Sequence, residues 1–122
     1  MNYKSNQHLS GRASELNRFR KDGILCDVTI TVGGRKIHAH KLILAASCPY
    51  FETMFTRGLF SESNQSEVTI REVDEEAMET LIEFCYTSSI EVEKNNVQDL
   101  LAAACFLQIV EVKVRLCFYF IN

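Results

Sequence analysis

Leu9, Ala13, Leu16 and Phe19 are the apolar positions of an otherwise polar opening segment. Their spacing predicts a helix with one narrow apolar stripe. A stripe so narrow, on a helix near a chain end, must lie against something. From Cys26 the period changes to two: Cys26, Val28, Ile30 and Val32 alternate with Asp27, Thr29 and Thr31. Alternation with β-branched residues predicts a half-buried strand. Gly33-Gly34 then supplies the positive φ of a tight turn. The returning strand sets Ile37 and Ala39 on one face, His38 and His40 on the other.

"LILAAS" (42–47) is apolar all round and predicts a buried helix. It must stop before Pro49, which has no N–H and clashes with the preceding turn. Proline is welcome at the first position of a new helix, with Ser47 or Cys48 in the capping slot before it. The second helix carries Phe51, Met54 and Phe55 inward. "TRGLFSESNQSE" reads as a polar loop that contains Leu59 and Phe60, and "VTI" (68–70) as a short strand. Asp74 caps a helix whose first turn holds Glu75 and Glu76, which read as solvated and favourable against the helix dipole. Ala77, Met78, Leu81, Ile82 and Cys85 form its buried side. "SSIEVE" (88–93) reads as a brief strand. Asn95 or Asn96 caps a last clear helix, with Val97, Leu100, Leu101, Ala104 and Cys105 inward.

Size and charge narrow the function. The chain has 122 residues, about one domain, and is 47% hydrophobic, enough for a real core. Its net charge of -3 leaves no basic excess to grip nucleic acid. No apolar run approaches the ~20 residues that span a bilayer. The N-terminal segment has no apolar signal core, so the expected location is cytoplasmic or nuclear. The five cysteines form no C-x-x-C pair and read as reduced, buried thiols.

The candidate chemistry sits in "HAHKLILAASCPYFETMF" (38–55). An H-x-H pair can contribute to a zinc site, but zinc needs three or four ligands. His8 is the remaining histidine, and Cys48 lies beyond an apolar helix. The alternative has His40 in a semi-buried polar slot and His38 exposed. A Cys48–His40 nucleophile pair lacks an orienting third residue and an oxyanion hole. The structural reading is favoured. No enzyme activity, metal, cofactor or small-molecule substrate is expected.

The stretches "LCDVTITVGGRKIHAHKLILAASCPYFETMF", "VDEEAMETLIEFCYTSSIEV" and "NNVQDLLAAACFLQ" resemble a BTB (POZ) domain of the kelch-like type. The shared motifs are C-D-V, A-H-K, P-Y-F, F-x-Y-T and N-V-Q-x-L-L at the expected separations. The likeness covers residues 9–122, with 1–8 as an N-terminal tail. It implies an α+β fold: a small mixed β-sheet flanked by short α-helices, with an N-terminal dimerisation helix. It also implies a non-catalytic interaction module. Such domains homodimerise through the first helix, here Leu9, Ala13, Leu16 and Phe19. Many bind a cullin-3 ubiquitin-ligase scaffold while other parts of the same polypeptide hold the substrate. His40 falls in the family's structural A-H-K junction. Asp27 and Lys41 match its charged pair near the dimer-side groove, and an aspartate in an apolar strand needs an opposite charge.

The cullin signature, an apolar residue and then Glu two positions on, fits Phe60-Ser61-Glu62 after Met54-Phe55. The loop is one residue longer than the family's, which makes Leu59 the alternative anchor. No substrate-recruiting repeat follows, so the sequence reads as a fragment, a short isoform or a free-standing adaptor. "VEVKVRLCFYFIN" alternates like a strand, yet the family has an amphipathic helix here, and helix is expected. Its Val114, Phe118 and Ile121 stand where the family carries polar residues, and this surplus apolar surface calls for a cover. Alongside the cullin-3 adaptor stands a second reading: the dimerisation module of a transcription regulator, binding a corepressor peptide.

Overall fold

A computed structural model describes residues 1–57 and 66–121. Among them lie three strands and six helices. Helix α1 runs Asn6–Asp22, strands β1 Val28–Val32 and β2 Arg35–Ala39, helices α2 Lys41–Ser47 and α3 Pro49–Thr56. Strand β3 is Glu67–Ile70, followed by α4 Glu75–Thr87, α5 Val97–Leu107 and α6 Val110–Ile121. The expected α+β architecture, a small mixed sheet with short helices around it, is observed.

The sheet order is β2-β1-β3. β1 pairs antiparallel with β2, setting Ile30 opposite Ile37, and parallel with β3, setting Ile30 opposite Val68. Period-two patterning puts Val28, Ile30, Val32, Ile37, Ala39, Val68 and Ile70 on one buried face. The helices cover that face with Leu44, Phe51, Met78, Leu81, Ile82, Leu100 and Leu107. The β1–β2 turn needs a glycine at its first position. Gly33 has φ +59, and a Cβ there would stand 2.5 Å from Glu75 Oε2. The same oxygen accepts the Gly34 N–H at 3.2 Å. Glu75, partly exposed in the first turn of α4, thus also holds the hairpin, while Glu76 is exposed as expected.

The proline corner is as expected: Cys48 precedes α3, with Pro49 at the first helical position. The Cys48 thiol is buried and donates to the Leu107 carbonyl at 3.1 Å, tying the corner to α5. Asp74 caps α4 by accepting the Ala77 N–H at 2.9 Å. Helix also wins at the C-terminus. Val112 and Leu116, one turn apart, are buried against the core.

Three expectations fail. Residues 88–93 form no strand. They are held instead by Asn96, whose Oδ1 accepts the Glu93 N–H at 2.8 Å and whose Nδ2 donates to the Glu91 carbonyl at 3.3 Å. Cys105 faces solvent rather than the core, and Cys26, Cys85 and Cys117 are only half-buried, leaving Cys48 as the fully buried thiol. Asp27 lies one residue before β1 and is exposed, so it is not an aspartate inside an apolar strand.

Candidate protein-interaction surfaces

Helix α1 opens with a Ser5 cap, its Oγ accepting the His8 N–H at 3.0 Å. It closes at Gly23 in the left-handed region, where Gly23 N–H reaches the Arg20 carbonyl and Ile24 N–H the Phe19 carbonyl. The stripe residues share one face with graded exposure. Ala13, Leu16 and Phe19 are half-buried, and Leu9 is 61% exposed. What fastens α1 to its own chain is in part polar. Arg20 is 4% exposed, donates from Nε to Asn17 Oδ1 at 3.1 Å and lies over the Tyr86 ring. Its guanidinium stands 3.7 Å from Glu83, and the Lys21 ammonium stands 3.1 Å from the same carboxylate. The hydrogen bond from Lys21 holds the Glu83 carboxyl below its ordinary range. Sequence reasoning missed Arg20, because nothing local marks an arginine as buried.

Beside the end of α1 lies the A-H-K junction. Asp27 Oδ1 accepts the main-chain N–H of Lys41 at 2.8 Å. The two residues of the proposed charged pair thus meet through a hydrogen bond at the first turn of α2. The Lys41 ammonium also lies 5.7 Å from the Phe55 ring centre. His38 is exposed, with Nδ1 3.1 Å from Thr29 Oγ1. His40 occupies the half-buried polar slot, between Tyr86 and the Ile24 carbonyl.

Further along, Phe51 is fully buried and stacks on Phe55 with ring centres 5.6 Å apart, while Tyr50 rests on Phe106 at 4.7 Å. Met54 and Phe55 pack against the core cluster. The residues named for cullin contact, Leu59, Phe60 and Glu62, lie outside the described residues. At the C-terminus, Val110, Val114 and Phe118 repeat every fourth residue on the side of α6 away from the core, and all three are exposed. Phe84, Ile90 and Val92 line the adjoining groove.

Among the described residues no group of three or more His, Cys, Asp and Glu side chains converges to hold a metal. Burial pushes the Cys48 and Cys26 thiols up and carries Cys85 to about 12, so all three stay protonated near neutrality. His40 Nε2 lies within 3.7 Å of Cys26 Sγ but is already engaged by the Ile24 carbonyl. No described helix is long and apolar enough to cross a membrane.

Comparison with known proteins agrees with the small mixed fold. The BTB/POZ domain family matches residues 16–122. Among solved structures, the BTB domain of zebrafish PATZ1 is similar, with a TM-score of 0.85 and 32% sequence identity. The match covers 99% of this chain and 97% of that chain. With nearly the whole chain matched in sequence pattern and in fold, this chain belongs to the BTB/POZ domain family, whose members serve as protein-interaction and dimerisation modules.

Proposed function

We propose that this BTB domain is the adaptor part of a kelch-like ubiquitin-ligase substrate receptor, acting in the cytoplasm or nucleus. It homodimerises through Leu9, Ala13, Leu16 and Phe19. It binds the cullin-3 scaffold through Phe60 and Glu62, with Leu59 as the alternative anchor. The observation that carries the reading is the sequence Phe60-Ser61-Glu62, which begins four residues after the last residue of α3. A large apolar residue next to a carboxylate, in an otherwise polar stretch, suits an interface better than water. The base from which that stretch departs is rigid, because Phe51 is fully buried and Cys48 is tied to Leu107. Binding there costs little ordering beyond the stretch itself.

Calorimetry of the intact chain against the cullin-3 N-terminal domain tests this. Phe60→Ala with Glu62→Ala weakens binding by more than about tenfold, the usual scale for a true anchor, and leaves the melting temperature in place. Leu59→Ala tests the register: if it does the damage and Phe60→Ala does not, the anchor is Leu59. Absence of binding by the unmutated domain sinks the adaptor reading. The dimerisation module of a transcription regulator, with a corepressor peptide as ligand, then takes its place.

A further inference from the structure

Three elements meet at the imidazole of His40, which stands between β2 and α2. Its main-chain N–H donates to the Tyr86 hydroxyl of α4 at 2.8 Å, and that same oxygen lies 2.7 Å from its Nδ1. Its Nε2 lies 2.9 Å from the Ile24 carbonyl, between α1 and β1. A carbonyl can only accept, so Nε2 carries the proton. With the imidazole neutral, the tyrosine oxygen accepts from the main chain and donates its hydrogen to Nδ1. The neutral tautomer with its proton on Nε2 satisfies all three contacts at once.

The residue after Ile24 is Leu25, with φ +60 and 80% of its surface exposed. A leucine gains nothing from left-handed backbone or from water, so its surroundings impose that conformation. They grip the backbone on both sides. Ile24 N–H is bound to the Phe19 carbonyl at 2.8 Å, and Asp27 N–H to the Ala39 carbonyl at 3.2 Å. The Cys26 thiol adds longer contacts to the Arg20 and Phe19 carbonyls, at 3.8 and 4.0 Å, and the Ile24 carbonyl itself is held by the His40 ring at 2.9 Å. Helix α1 is 17 residues long, about 25 Å, and its polar anchors Arg20 and Lys21 lie in its last turn. A small change of bend at this joint therefore swings the Leu9 end widely.

We propose that His40 is a positioning residue for α1: its hold on the Ile24 carbonyl sets the angle between α1 and the sheet, and with it the direction in which the apolar stripe meets a second copy. The claim about association rests on the homodimer reading; the claim about helix pose does not.

Two variants of the intact chain separate the ring's contacts. His40→Asn sets an amide near the Nδ1 position and leaves the Ile24 carbonyl without its donor. His40→Gln sets an amide near Nε2, keeps a donor there and gives up the ring's contact with Tyr86. Hydrogen exchange is followed over residues 6–22 and over the β1 and β2 amides, with sedimentation for association. His40→Asn speeds α1 exchange by roughly tenfold with the strands unchanged and weakens self-association, whereas His40→Gln behaves as wild type. If the two variants act alike, whether both are silent or both also loosen the strands, the positioning role is overturned. A wild-type monomer would defeat the dimer reading alone, since the α1 exchange pattern still decides the pose.

Discussion

Asp27 offers one carboxylate oxygen to the Lys41 N–H at 2.8 Å, next to the first turn of a seven-residue helix. An exposed acceptor at a helix start acts as a cap, and its worth lies in the hydrogen bond more than in the charge. Asp27→Asn keeps the acceptor and is expected to cost only a few tenths of a kcal/mol. Asp27→Ala is expected to cost about 1 kcal/mol. Urea denaturation of both variants checks this, and a loss of about 3 kcal/mol for Asn would instead mark a desolvated ion pair. Leu25 is a second single-residue case. Left-handed backbone costs an L-residue about 1–2 kcal/mol, and glycine returns part of that as chain entropy. Leu25→Gly should stabilise the chain by about 0.5 kcal/mol in the same assay, since little of the leucine is buried. His40 was legible in advance because it closes the returning strand at the A-H-K junction, just before the apolar α2, whereas His38 lies within the strand on its exposed face. Arg20 was not, because its partners Glu83 and Tyr86 come from a distant helix. No local spacing signals a guanidinium that will be covered by such groups.

Among the elements, sequence reading succeeded where one face had a clear destination. β1 and β2 alternate over a buried face, the proline corner separates α2 from α3, and Asp74 caps α4. It failed at 88–93, where the alternation of Ile90 and Val92 with Glu91 and Glu93 was real but found no neighbouring strand. Asn96 satisfies main-chain groups there that a ladder would have used. α6 is the converse: a strand-like local pattern becomes a helix because Val112 and Leu116 fall one turn apart over the core. The docking of α1 on α4 carries an electrostatic prediction. Glu83 titrates below its ordinary value, so the stability it contributes is present above the unfolded carboxylate range and fades as pH falls through the lower, folded value. Glu83 is partly exposed, while Arg20 is covered. Glu83→Gln is therefore expected to cost about 1–2 kcal/mol at neutral pH, between the values for exposed and buried pairs. Its difference from wild type should shrink as pH falls through that lowered value. A pH series of denaturation curves measures this, and a difference that persists in acid would show that the carboxylate charge is not what Arg20 and Lys21 require.

At the scale of the whole molecule, one set of helices closes a sheet while leaving apolar side chains outside on both α1 and α6. Leu9 is largely exposed, whereas Leu16 is partly packed on the core. The chain's own core thus uses only part of the stripe, as expected of a surface that a second copy completes. A stable contact of that kind buries on the order of 2,000 Å² and is largely apolar. Its free energy would then belong to the dimer, and the melting temperature would rise with protein concentration. Leu16→Asp places a carboxylate at the centre of the half-buried stripe. The expected result is dissociation by more than about a hundredfold, with partial loss of stability, because Leu16 also contributes to the core. Leu9→Asp, on the outer part of the stripe, separates the two effects. It should weaken association while leaving a folded monomer, since its side chain has little core contact to lose. Sedimentation equilibrium with circular dichroism on the two variants reads both quantities together. A wild-type chain that stays monomeric at micromolar concentration, with a melting temperature independent of concentration, would mean that the α1 stripe meets some partner other than itself.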